Sequence, residues 1–163
     1  MLRRFSDAEQ ADDITMLCFQ LTDQEKDHSF VFEAKIDNVE AVTNFVGKYL
    51  SEANCSVKAE TQINVAIDEL FSNICYYAYK DGQEGNVRIS VTFDPNKENV
   101  TIAFEDRGVP YNPLEKEDPD IDSSLEERKI GGLGIFIVKQ TMDDVVYEND
   151  GGHNILKITK NIK

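Results

Sequence analysis

Basic side chains are scarce in this chain. Lysine and arginine number 17 against 31 aspartates and glutamates, a formal net charge of −14 over 163 residues. A chain this acidic has no extended basic face, which excludes non-specific attraction to nucleic acid or to an anionic membrane surface. Cysteine is sparse too. Cys18, Cys55 and Cys75 are odd in number, widely spaced and set in apolar patterns, which argues against a disulfide frame or a zinc site and suits reduced core thiols. No apolar run approaches the roughly 18 residues of a membrane span, and the first residues lack the apolar stretch of a secretion signal. The expected setting is therefore the cytoplasm. The length suits one ordinary domain with a real core.

What is present is a series of periodic segments. Phe30, Phe32, Ala34 and Ile36 alternate with Val31, Glu33 and Lys35, which predicts a strand. Asp37 is placed to cap a helix whose apolar positions are Val39, Val42, Phe45, Val46, Tyr49 and Leu50. After a break at residues 54–56, Ile63, Ile67, Leu70, Phe71 and Ile74 mark a second helix. It closes on Tyr76, Tyr77 and Tyr79, which read as packing residues. Val87, Ile89, Val91 and Phe93 then pair as a hairpin with Val100, Ile102 and Phe104 across a turn at 94–99. A short helix after residue 134, a strand at 145–147, a turn at 149–152 and a strand at 155–159 complete the chain.

Four features carry chemistry. Glu69 and Asn73, spaced i,i+4, are neighbours on one helix face. Taken alone they are a solvated polar pair, but a carboxylate there can deprotonate a nucleophile while an amide carbonyl one turn along takes a Mg²⁺ ion riding on phosphates. Asp106-Arg-Gly108 ends a strand, and a carboxylate so placed can accept a hydrogen bond from an exocyclic amine; the plain alternative is a strand-ending turn. Gly131-Gly132-Leu133-Gly134 runs into the third helix, where glycines permit close approach and the first amides attract an anion. Between it and Asp106 lies a long Pro-, Asp-, Glu- and Ser-rich segment, 112–128, of the kind that is functional or disordered. Nine acidic and two basic side chains fall between Glu105 and Glu127, so phosphate charge must be met by backbone amides, Mg²⁺ and basic residues such as Arg128, Lys129 or Lys139. The fourth feature is Ala11-Asp12-Asp13-Ile14-Thr15-Met16-Leu17, an aspartate pair entering a strand-like run.

That last segment resembles the closing strand of metal-dependent serine/threonine phosphatases of the PPM type, in which the aspartate matching Asp12 is a metal ligand. The rest of such a domain is absent. Residues 1–28 are therefore expected to be the remnant and linker of a longer fusion, and residues 29–163 the functional domain.

Glu69-Leu-Phe-Ser-Asn73, Asp106-Arg-Gly-Val-Pro-Tyr-Asn-Pro113 and Gly131-Gly-Leu-Gly-Ile-Phe-Ile-Val, in that order over roughly residues 30–160, resemble the GHKL ATP-binding fold, and most closely the bacterial anti-sigma factor serine/threonine kinases. The resemblance implies an α+β two-layer sandwich, a mixed, mainly antiparallel sheet with helices on one face. It implies Glu69 as general base, Asn73 as the Mg²⁺ ligand, and Asp106 as the reader of the adenine amine with Gly108 shaping its turn. Gly132, Leu133 and Gly134 would bind the cofactor ATP at its phosphates, and residues 114–130 would form a lid. The implied activity is phosphorylation of a serine on an anti-anti-sigma (STAS) partner together with sigma factor binding; homodimerisation is also implied. Two departures stand out: Tyr77 replaces a histidine often seen at the end of the helix, and a threonine of the closing hairpin has only His153 and Asn154 near its place. A nucleotide-gated binding switch without kinase activity is the alternative, and retention of Glu69 favours the kinase. A histidine kinase catalytic domain is disfavoured, because no helical hairpin with a phospho-acceptor histidine precedes the domain.

Overall fold

The computed structural model describes residues 28–80, 83–115 and 133–163. In chain order they form β1 (His28–Glu33), α1 (Val39–Glu52), α2 (Val57–Tyr77), β2 (Asn86–Phe93), β3 (Asn99–Asp106), α3 (Leu133–Thr141), β4 (Asp144–Asp150) and β5 (His153–Asn161), with single 3-10 turns at Ile36–Asn38 and Pro113–Glu115. The expectations for residues 1–27, Asp12 included, lie outside the described residues.

Among the described residues the strands form one sheet in the order β1-β2-β3-β5-β4, and all four pairings are antiparallel. Alternation along β2, β3 and β5 gives the sheet two different faces. Val87, Ile89, Val91, Val100, Ile102, Phe104, Leu156 and Ile158 join Val42, Val46, Leu50, Ile63, Ile67, Leu70, Phe71, Ile135 and Val138 of the three helices in a single core. The other face carries Ser90, Thr92, Thr101, Ala103, Lys157 and Thr159. The fold is therefore the expected two-layer α+β sandwich with its helices on one side, except that among the described residues the sheet is antiparallel throughout rather than mixed. Phe71 and Phe104 are fully buried, and such side chains contribute about 1.5–3 kcal/mol each.

Several local expectations differ from the structure: Tyr76 and Tyr77, expected to pack, are 65% and 64% exposed, α3 already begins at Leu133, and β4 runs on to Asp150, into the expected turn. β1 stops at Glu33 rather than reaching Ile36, because the chain turns there and Asn38 Nδ2 donates back to the Glu33 carbonyl (2.9 Å). Asp37 does not cap α1. It lies inside the 3-10 turn, and the residue in the cap position, Asn38, already has helical dihedrals (φ −90°, ψ −3°) and no side-chain cap. A cap needs an extended residue whose side chain can fold over the first amides. Ser56 meets that condition at the start of α2, with φ −66° and ψ 144° and its Oγ accepting from the Ala59 amide.

The far end of α2 is tied to the end of β3. The Ala78 carbonyl accepts the Val109 N–H (2.7 Å), and a Cβ on Gly108 would collide with the Ala78 carbonyl and Cβ. Glycine is thus required at 108 by close approach to backbone. Tyr79 adds a second tie, its hydroxyl donating to the Asn86 carbonyl (2.9 Å) and accepting from the Arg107 amide (3.3 Å). Burial pushes the Tyr79 phenol above its usual range. Gly151 and Gly152, at φ +59° and +86°, make the tight β4–β5 turn.

Candidate nucleotide site

Because α2 and β3 are locked at these ends, Asn73 of α2 and Asp106 of β3 face the same cavity, with ≈ 460 Å³ of empty volume open to solvent. Leu70, Ile74, Val109, Pro113, Ile135 and Leu156 give it apolar walls; Asn73, Asp106 and Asn154 are its polar groups, flanked by Tyr77, Tyr111 and Tyr147. An apolar slot with a few convergent hydrogen-bonding groups suits a flat heteroaromatic base.

Asp106 is only 6% exposed. Its Oδ1 accepts the Gly108 N–H (2.7 Å) and Asn154 Nδ2 (3.0 Å), and among the described residues nothing bonds its Oδ2. A carboxylate oxygen left without a partner on a residue that lines a cavity is an acceptor for a ligand N–H. Asn73 lines the same space, and its amide makes no hydrogen bond among the described residues. Glu69, one turn earlier, does not line the cavity but rests beside the start of α3. A Cβ on Gly134 would overlap its Oε2 and Cδ. The start of α3 and the Glu69 carboxylate therefore stand together, one turn of α2 from Asn73. Leu133 opens α3, 55% exposed, and is not part of the cavity wall. Gly132 and most of the expected lid fall outside the described residues.

The donor set can be tested against the implied metal. No group of three or more His, Cys, Asp or Glu side chains among the described residues could cage a cation. A neutral, unengaged amide carbonyl at Asn73 instead fits Mg²⁺ that arrives with phosphates and keeps its waters.

The hairpin ambiguity resolves on β5. His153 points to the opposite face, where its Nδ1 lies 2.6 Å from Glu105 Oε1, while Asn154 is buried against Asp106. Sequence reasoning did not single out Tyr147, had Tyr77 only as a helix-end residue in place of a histidine, and had Asn154 only as one of two residues near the place of the hairpin threonine; all three line the cavity. The signal for Asn154 was its register opposite Asp106, which only the β3–β5 pairing reveals.

Fold and site together define a nucleotide-binding domain of the ATPase type. The family described as histidine kinase-like ATPase domain matches residues 32–160, and the chain belongs to that family. Curated relatives include the serine-protein kinase RsbW of Listeria monocytogenes serovar 1/2a, 27% identical over 65% of this chain and 69% of its own length. The anti-sigma F factor of Clostridium beijerinckii is 21% identical over 81% and 91%, and the serine/threonine-protein kinase BtrW of Bordetella bronchiseptica is 24% identical over 64% and 72%. Among solved structures, the RsbU and RsbW domains of Rv1364c from Mycobacterium tuberculosis superpose with a TM-score of 0.57 at 14% identity, covering 83% of this chain. This likeness concerns the fold. The chain spans about a third (32%) of that mycobacterial chain.

Proposed function

We propose that this protein is an ATP-dependent serine/threonine protein kinase of the anti-sigma factor type, which phosphorylates a serine of an anti-anti-sigma (STAS) protein and binds a sigma factor. The observation that carries the reading is the apolar cavity shared by Asp106 and Asn73, with Glu69 one helical turn from Asn73 beside the start of α3. The relatives named as serine-protein kinases and anti-sigma F factors support it.

ATP supplies the γ-phosphoryl group. Asp106 Oδ2 accepts the adenine amine, and the apolar walls hold the ring. Asn73 would hold the Mg²⁺ that accompanies the phosphates, which would neutralise part of their charge, and the first α3 amides, with Gly132 and Gly134, would receive phosphate oxygens. Glu69 accepts the proton of the incoming serine hydroxyl as its oxygen bonds to phosphorus and the bond to the β-phosphate oxygen breaks. Positioning and charge neutralisation supply most of the acceleration in such a transfer. Residues 1–28 as a phosphatase remnant, a cytoplasmic location and a homodimer belong to the same reading.

Incubation with γ-labelled Mg·ATP and a STAS-domain protein is expected to yield labelled phosphoserine. Tight Mg·ATP binding with no label on the partner would leave a nucleotide-gated binding switch instead.

A further inference from the structure

Asp106 is held by residues of the last two strands that border the same cavity but have no role in that reading. Asn154 of β5 lies in register with Asp106 of β3 on one side and with Asn149 of β4 on the other. It is only 5% exposed. Its Nδ2 donates to Asp106 Oδ1 (3.0 Å) and to the carbonyls of Gly108 (3.2 Å) and Val109 (3.4 Å). Its Oδ1 accepts from the Tyr147 hydroxyl (2.8 Å) and Asn149 Nδ2 (2.9 Å).

The surroundings dictate which way this amide points. A carboxylate and two carbonyls only accept, so the nitrogen must face them, and the oxygen then meets a hydroxyl and an amide that can donate. Asn154 borders the cavity, but both its polar atoms are engaged within the protein, so its hydrogen bonds act on a ligand through Asp106. Oδ1 is pinned by Asn154 and by the Gly108 N–H, and rotation of the carboxylate would break both bonds. Oδ2 is the atom left to face the cavity.

We propose that Asn154, locked by Tyr147 and Asn149 of the edge strand β4, is the positioning residue that sets base selectivity at this site. It fixes an acceptor-only edge toward the ligand and thereby favours a 6-amino purine over a 6-oxo purine. This rests on the reading of Asp106 as the acceptor of the base amine.

The test is equilibrium titration of wild type, N154D and Y147F with Mg·ADP and Mg·IDP, alongside thermal melting. N154D keeps the side-chain shape and still accepts from Tyr147 and Asn149. It has no N–H to donate and sets a second carboxylate against Asp106. The expected result is a wild-type preference for ADP that N154D cuts by about tenfold or more, chiefly through weaker ADP binding. Y147F loses a single hydroxyl and should cut the preference by about threefold; it decides the matter if N154D does not fold. A preference unchanged in the folded variants, or an equal loss of both nucleotides, would overturn the proposal by reducing Asn154 to a packing residue. A wild type with no preference would overturn the reading of Asp106 itself.

Discussion

Replacing Asp106 by asparagine changes one atom and should reverse which base the cavity prefers. The existing Oδ1 is pinned by two donors, the Gly108 N–H at 2.7 Å and Asn154 Nδ2 at 3.0 Å. The introduced amide must therefore keep its oxygen there and turn its NH₂ into the cavity, where a carboxylate oxygen used to be. An adenine amine then meets a donor in place of a charged acceptor. Losing a hydrogen bond to a charged group costs about 1.5–3 kcal/mol, or about 10- to 150-fold in affinity at 1.4 kcal/mol per decade. A 6-oxo base gains a donor where it previously faced a carboxylate, so its affinity should rise, by up to about tenfold. Both internal partners of Asp106 remain satisfied, so the fold should hold. Calorimetric titration of wild type and D106N with Mg·ADP and Mg·IDP measures the outcome. An ADP-to-IDP ratio that does not fall in D106N would refute the geometry, and so would an equal loss of both.

Gly134→Ala should impair phosphotransfer far more than folding. The atoms its Cβ would overlap are the far end of Glu69, a flexible side chain that can swing aside and lose its place; a melting temperature within a few degrees of wild type with transfer reduced about tenfold or more is the expected pair of results. Gly108→Ala meets backbone instead, at Ala78, so it should cost about 1–3 kcal/mol of stability, read as a fall of about 2–4 °C in Tm per kcal/mol. Cys75 should resist alkylation. Burial pushes its thiol up to about 11, so at pH 8 its thiolate fraction falls about two orders of magnitude below that of a free cysteine. Peptide mapping after iodoacetamide treatment checks this, and labelling at the free-thiol rate would contradict it.

The parts of the fold that were legible in the sequence are those where local chemistry decides. Residues 87–104 alternate so regularly that both strands of the hairpin fall where the period of two puts them. Ile63, Ile67, Leu70 and Phe71 could bury themselves together only on a helix. Gly151 and Gly152 announced the last turn. Asp37 was misread because its neighbours, not its own side chain, decide that the backbone is already helical there. Within the site, Asn73 and Asp106 could be picked out as residue types in motifs. Two tertiary relations could not. Asn154 becomes a partner of Asp106 only through the β3–β5 register, 48 residues apart. The contact of Glu69 with Gly134 depends on how α3 docks on α2, and no local pattern records that docking.

The claim that this site transfers phosphate rests on Glu69. The direct measurement is single-turnover formation of phosphoserine on a STAS-domain protein at saturating Mg·ATP, comparing wild type with Glu69→Ala and with nucleotide occupancy measured in the same samples. The account predicts transfer by wild type and a rate lower by about 10²–10⁴-fold in the variant at equal occupancy. Transfer by E69A at the wild-type rate, or full occupancy of wild type with no phosphoserine at all, would contradict it.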